Sequence, residues 1–337
     1  MHTVPLAILD RANTRNVGGQ IIKAPQIFAE VTARAQHAEQ LGFHRFWVAE
    51  HHSVPGIAGS APTLLLPHLA EATSAIRLGT GGIMVPSHQP LVIAEQLGTL
   101  HALYGGRIDA GLGSSVGFTK PVRAGLRQTA DAKEHFTDDV DELIRYLDGT
   151  ADITAYPQNY GQTDLYVLTG GGAASFAASR GIGLVLGGPA VTDGLQNADQ
   201  TNQVVEEYRS GFNTAARGQE PWVIASVNVV VAESDSQAYS LALSESWALA
   251  RSRSIGVFQP LEDPSVLQRE NISNQEQRRI DRALASTVYG DQATVVAQLQ
   301  RIIKYTDADE LMITGNMWDP VAQRASDRLL MEAWQTY

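Results

Sequence analysis

The sequence predicts a single parallel (β/α)8 barrel of the TIM type over residues 1–337, and three observations carry that prediction. Eight short apolar runs alternate with segments of helical periodicity. No linker-like composition, low-complexity stretch or short repeat divides the chain. Glycine recurs at the C-terminal ends of the third to sixth runs, the edge at which such barrels place their active sites.

In chain order, the first apolar run covers 4–9. Residues 25–41 carry Ile27, Val31, Ala35, Ala38 and Leu41 at helical spacing and stop at Gly42. The second run, 45–49, is aromatic and β-branched, as a buried strand requires. Helices follow at 63–73 and 91–104, with strands at 76–81 and 108–112. Within 131–147, Phe136, Val140, Leu143 and Leu147 share one helical face. The later runs, 165–168, 183–186, 223–231 and 310–313, read as strands five to eight. Helices are expected over 173–180, 195–217, 236–250, 293–305 and 321–334.

Two stretches break the rhythm. Residues 149–162 are polar and contain Pro157 and Gly161. Residues 252–285, after the seventh strand–helix unit, carry Pro260, Pro264 and the pair Arg278-Arg279. A connection of that length in a compact domain is expected to be a lid, a binding loop or a disordered segment. Arg278 and Arg279 are then candidates to meet substrate, the plain alternative being a solvated helix face.

The formal net charge of −11 argues against a nucleic-acid partner or an anionic membrane surface. With no cysteine in the chain, disulfides, thiolate metal sites and cysteine nucleophiles are excluded. The first residues lack a basic stretch followed by an apolar one, and no apolar run approaches the length of a membrane span. A cytoplasmic protein is the expectation.

Candidate chemistry gathers at the strand ends. The second strand ends abruptly in Glu50-His51-His52, three titratable groups that are costly to bury unless they face a site or find partners. No metal is expected. Side chains of the adjacent His51 and His52 diverge on a strand, and neither H-x-H nor H-E-x-x-H occurs. Gly111-x-Gly113-x-x-x-Gly117 has the wrong spacing for a dinucleotide fingerprint, and Ser114 and Ser115 lack a nucleophile elbow. The turn Gly170-Gly171-Gly172 leads into a helix at Ala173. Free amides there would suit an anion such as a cofactor phosphate, the alternative being an ordinary tight turn.

Read together, four segments resemble the bacterial luciferase-like flavin monooxygenases. They are Trp47-Val48-Ala49-Glu50-His51-His52, then Arg77 through Thr80-Gly81-Gly82 to Pro86, then Ala94-Glu95-Gln96, then Gly106-Arg107-Ile108-Asp109 to Gly113. Their order and spacing agree across residues 4–118, and more loosely to the C-terminal helix. The resemblance implies reduced FMN bound at the barrel mouth, with O2 as co-substrate and a flavin C4a-hydroperoxide as the oxygenating species. Hydroxylation, epoxidation and Baeyer–Villiger insertion are all open. His51 matches the family's base and Glu50 its supporting carboxylate. Ala49, Thr80, Gly81 and Gly82 match positions around the isoalloxazine ring. The Gly81-Gly82 peptide matches a non-prolyl cis bond, and an ordinary trans turn is the alternative.

Ser114 and Thr169, Gly170, Gly171, Gly172 and Ala173 match the phosphate site, with two departures. The family usually has arginine at the position of Ser114, and serine or threonine hydroxyls within the glycine turn. The missing contacts weaken phosphate binding by about 1–3 kcal/mol, so FMN is expected to bind loosely.

The resemblance further implies a separate flavin reductase, a homodimer paired through the helices after the second and third strands, and a small organic substrate. Polyketide tailoring in antibiotic biosynthesis and aliphatic aldehyde oxidation are its two candidate settings. Two alternatives stand beside this reading: a deazaflavin (F420)-dependent hydride-transfer oxidoreductase of the same superfamily, and a non-catalytic flavin-binding partner subunit.

Overall fold

The structure, a computed structural model, describes residues 3–192, 194–267, 269 and 272–336. Eight parallel strands close into a barrel: β1 (Leu6–Asp10), β2 (Arg45–Val48), β3 (Arg77–Met84), β4 (Ile108–Gly113), β5 (Asp164–Thr169), β6 (Gly183–Leu186), β7 (Val223–Val231) and β8 (Glu310–Thr314). Each pairs with its sequence neighbours, and β8 closes the ring against β1, Leu6 opposite Leu311. The barrel agrees with the expected fold class.

Alternate residues of each strand point inward. Ala7, Trp47, Tyr166, Val185, Ile224 and Met312 fill the barrel, with Leu9 and Leu168 packed above them. Below them lies a charged layer. Arg45 donates to Asp109 at 2.8 Å, to Glu310 at 2.8 Å and to the Tyr166 hydroxyl at 3.0 Å, while the Trp47 indole donates to Asp109 at 3.1 Å. Asp109 and Glu310 are fully buried; Arg45 bridges them, while Arg77 also donates to Asp109 at 3.1 Å and the Trp222 indole to Glu310 at 2.9 Å. Arg45→Met is therefore expected to lower the unfolding free energy by about 3–5 kcal/mol. A urea midpoint equal to wild type would show that the layer is dispensable.

Among the described residues, several elements differ from expectation. The helix expected from 131 begins at Phe136 and runs to Asp148, with Asp138 and Asp139 favourably placed in its first turn. The helix expected over 195–217 breaks near Gly211 into Gly194–Ser210 and Thr214–Arg217. An unpredicted strand, Thr287–Gly290, pairs with the far half of β7, Thr287 opposite Asn228, while β8 occupies the near half. A small hairpin, Asn16–Val17 with Gln20–Ile21, also lies outside the expected pattern.

The described residues of the connection 252–285 are more structured than a free lid; positions 268, 270 and 271 lie outside the described residues. The helix Asp235–Ile255 ends at Gly256, whose φ of 80° suits glycine. The Phe258 carbonyl then accepts from the Gly56 amide at 3.0 Å, and Leu261 exchanges backbone bonds with Thr14 and Asn16. The helix Asn274–Ala285 packs Ile280 and Leu284 against Ala242 and Trp247 of the helix Asp235–Ile255, with Leu267 in the same cluster. A second, smaller core thus holds this segment beside the barrel.

Candidate active site

Glu50 leaves the end of β2 and is buried. Its Oε1 accepts from His52 Nε2 at 2.6 Å and His88 Nε2 at 2.8 Å, and its Oε2 from the Met84 amide at 3.1 Å. A carboxylate only accepts, so both imidazoles carry their proton on Nε2. Burial opposes ionisation of Glu50, but the bonds from His88, His52 and Met84 outweigh it and hold its pKa below the ordinary value. The donor atoms of Glu50, His52 and His88 lie within 4.8 Å of one another, a metal-like spacing. Here they satisfy each other by hydrogen bonding.

His51 diverges from that cluster, as adjacent residues of an extended chain do. Its amide donates to the Gly59 carbonyl at 2.9 Å. Its ring lies 15° from parallel to the Phe118 ring, with centroids 6.0 Å apart. The buried Nδ1 has no partner among the described residues. Burial first, and then the Arg11 charge, push the His51 pKa down to about 4, against the weaker pull of Glu50. At pH 7 His51 is therefore an uncharged imidazole able to accept a proton.

A cavity of about 620 Å³ opens at the barrel mouth, within the size range of cofactor sites. Leu9, Leu168 and Val185 give it apolar lining, and Ser114, Ser115, Lys133, Glu134, Thr137 and Thr169 polar lining. Gly170, Gly172 and Ala173 complete the wall nearest Ser114 and Thr169, so most of the expected phosphate group lies on one cavity. The Thr169 hydroxyl accepts from the Gly171 amide at 3.1 Å and the Ala173 amide at 3.3 Å. Those two amides are engaged within the turn, and Gly171 adopts φ 115°, which only glycine enters readily.

Ala49, Thr80, Gly81 and Gly82 lie at the β2 and β3 ends, outside that lining. The Gly81-Gly82 peptide is cis. A Cβ at Gly81 would stand 2.4 Å from Leu9 Cδ1, and one at Gly82 2.7 Å from the Gly111 carbonyl oxygen. Thr80 is wholly buried and spends its hydroxyl on the Gly111 carbonyl at 2.9 Å. Its hydroxyl is therefore already engaged within the barrel.

Arg278 and Arg279 need correction as substrate-facing residues. Both sit on the helix Asn274–Ala285; Arg278 is exposed, Arg279 donates to the Ser254 hydroxyl, and neither lines the cavity. The apolar face of that helix is turned to Trp247, which leaves the arginines on the other side.

Several residues of the mouth went unread in the sequence. His88 follows the Met84-Val85-Pro86 segment and completes the Glu50 cluster. Its only sequence signal is a histidine close after a strand end. Lys133 is hidden in a charged stretch before Phe136. Arg11 continues the inward alternation of Ala7 and Leu9, a signal that the period of two could have exposed.

These features define a TIM-barrel enzyme whose mouth combines a carboxylate–histidine cluster, a neutral buried imidazole and a cofactor-sized cavity. The chain belongs to the luciferase-like monooxygenase family, whose sequence model matches residues 11–309. The "Luciferase-like monooxygenase" of Escherichia coli (strain K12) is 35% identical over 313 residues, covering 92% of each chain. The crystal structure of apo-MsnO8 superposes with a TM-score of 0.83 at 28% identity, covering 99% of each chain. The FMN-complexed oxygenating constituent of 3,6-diketocamphane monooxygenase from Pseudomonas putida shares the fold, with a TM-score of 0.71 at 15% identity over 98% of this chain and 97% of its own. The protein is accordingly an oxidoreductase. Among the described residues no helix is long and apolar enough to cross a membrane.

Proposed function

We propose that the protein is a reduced-FMN-dependent monooxygenase that inserts one atom of O2 into a small organic substrate. The single observation that carries this reading is the cofactor-sized mouth cavity, lined by both apolar and polar side chains. The residues present fit FMN. Ser114, Ser115, Thr137 and Lys133 would hold its phosphate, Lys133 supplying positive charge where Ser114 has none, and Leu9, Leu168 and Val185 would take apolar surface. When bound, the reduced flavin supplies O2 activation and oxygen transfer.

The chain's own residues do the rest. His51, neutral at pH 7, would accept and return a proton through its imidazole. Glu50 fixes His52 and His88 beside it, and Phe118 shields one imidazole face from water. Reduced flavin would come from a separate reductase. Leu64 and Leu103 are 77% and 62% exposed on the helices Pro62–Ala72 and Pro90–Tyr104, apolar surface that supports a homodimer through that face.

With the Gly171 and Ala173 amides engaged by Thr169, cofactor affinity would draw on hydroxyls, the remaining turn amides and one lysine. Ser114→Arg is therefore expected to tighten FMN about tenfold, one charge-assisted contact, in a fluorescence-quenching titration. Equal affinity would place the phosphate elsewhere.

A further inference from the structure

Glu50 is a buried carboxylate without a fixed counter-charge. Its partners among the described residues are two imidazoles and one amide, and no lysine or arginine pairs with it. Buried charges are as a rule paired or bound to a metal. Two strand ends supply the cluster. Glu50 and His52 follow β2, and the His51 amide between them is tied to the Gly59 carbonyl at 2.9 Å. His88 follows β3 and the short helical turn Val85–Ser87, and its amide donates to the Val85 carbonyl at 3.0 Å. Backbone bonds thus fix the segments that carry all three side chains.

The side chains converge on one point. Both imidazoles aim Nε2 at the same atom, Glu50 Oε1, at 2.6 and 2.8 Å. Their rings are tilted 53° to one another with centroids 6.4 Å apart, so they reach it from different directions. The Met84 amide holds Oε2 at 3.1 Å, an outer bond of the kind that orients a metal-bound carboxylate. Zinc bonds to imidazole nitrogen and carboxylate oxygen run about 2.0–2.1 Å, which sets tetrahedral ligands about 3.3 Å apart. Each Nε2 would draw back from Oε1 by only about 0.5–0.7 Å to admit the ion. The Nε2 protons must also move to Nδ1, because a metal takes the lone pair of a neutral ring. Neither ring leaves Nδ1 buried without a partner. The His52 and His88 side chains keep 21% and 29% of their surface exposed, so water can accept the relocated N–H.

We infer that Glu50 Oε1, His52 Nε2 and His88 Nε2 form a binding site for one divalent first-row transition ion of the Zn2+ or Co2+ kind. Two imidazoles and one carboxylate suit such ions, whereas Mg2+ and Ca2+ prefer oxygen alone. The fourth position opens to solvent on the exposed side of the imidazoles. The ion gives Glu50 its missing cation and joins the segment after β2 to the segment after β3. None of the three residues lines the mouth cavity, so the site stands or falls apart from the flavin reading.

The test is a calorimetric titration of EDTA-stripped, full-length protein with ZnCl2, and a parallel titration with CoCl2 followed by visible absorption. The expected result is one Zn2+ per chain with a Kd of about 1 μM or lower, intense bands of four-coordinate Co2+, and no binding of Mg2+. His88→Ala and the milder His88→Gln should each weaken Zn2+ more than about hundredfold, beyond the cost of losing an outer partner, and abolish the Co2+ bands, with folding checked by circular dichroism. His135→Ala, which breaks the exposed pair of His135 with Asp131, should leave Zn2+ affinity within about twofold of wild type, as an independent site would. No Zn2+ binding below millimolar concentration, several weak equivalents in place of one, or a single tight site unmoved by both His88 variants would overturn the proposal.

Discussion

Replacing His51 with alanine is expected to reduce product formed per reduced FMN by roughly 10²- to 10⁴-fold, the usual contribution of a positioned acid–base group, while FMN affinity stays near wild type. His51 lines neither the polar nor the apolar wall of the cavity, so its removal spares cofactor contacts. The measurement is product yield across a panel of ketones, thioethers and aldehydes, with flavin binding followed in parallel. An undiminished yield would remove His51 from the reaction.

The same residue predicts a pH signature. Its folded pKa is about 4 against 6.5 for the free group. Between those values the unfolded chain binds the extra proton, so this contribution to stability is present above pH 6.5 and is lost as the pH falls towards 4. His51→Ala should flatten the stability profile in that window and leave it unchanged above pH 7.

Glu50→Gln is expected to cost both stability and activity. The carboxylate accepts two imidazole N–H groups and one amide. An amide side chain has one oxygen, and its NH2 would face a donor. At least one buried donor is then unpaired, and about 3 kcal/mol of stability should go at pH 7. Because folding depresses the Glu50 pKa, its contribution is present above the ordinary carboxylate value of 4.5 and fades as pH falls below it. The loss measured in Glu50→Gln should therefore shrink in acid. A denaturation midpoint equal to wild type at pH 7 would mean that His52 and His88 are held by other groups.

Much of this architecture is legible in the sequence because the barrel strands are buried on both faces and read as unbroken apolar runs. The second strand illustrates it: Arg45 to Val48 is aromatic and β-branched, and the Glu50-His51-His52 edge follows directly. The extra strand Thr287–Gly290 escapes because four residues carry no period. The helix Asn274–Ala285 escapes because only Ile280 and Leu284 are buried on it, amid charged neighbours. The order of the Glu50 cluster is also hidden: His52 and His88 are far apart in sequence, and only the turn after β3 brings His88 back onto the carboxylate. The His51 pKa depends on burial and on Arg11, neither of which shows in a motif.

The most direct test of the central claim is an anaerobic titration with reduced FMN and, separately, reduced F420, followed by admission of O2. The expected result is saturable binding of reduced FMN, weaker binding of reduced F420, and oxidation of the bound flavin at a rate distinct from that of free flavin. Tight binding of reduced F420 with reduced FMN oxidising as it does in buffer would contradict it, and would point instead to hydride transfer at the same barrel mouth.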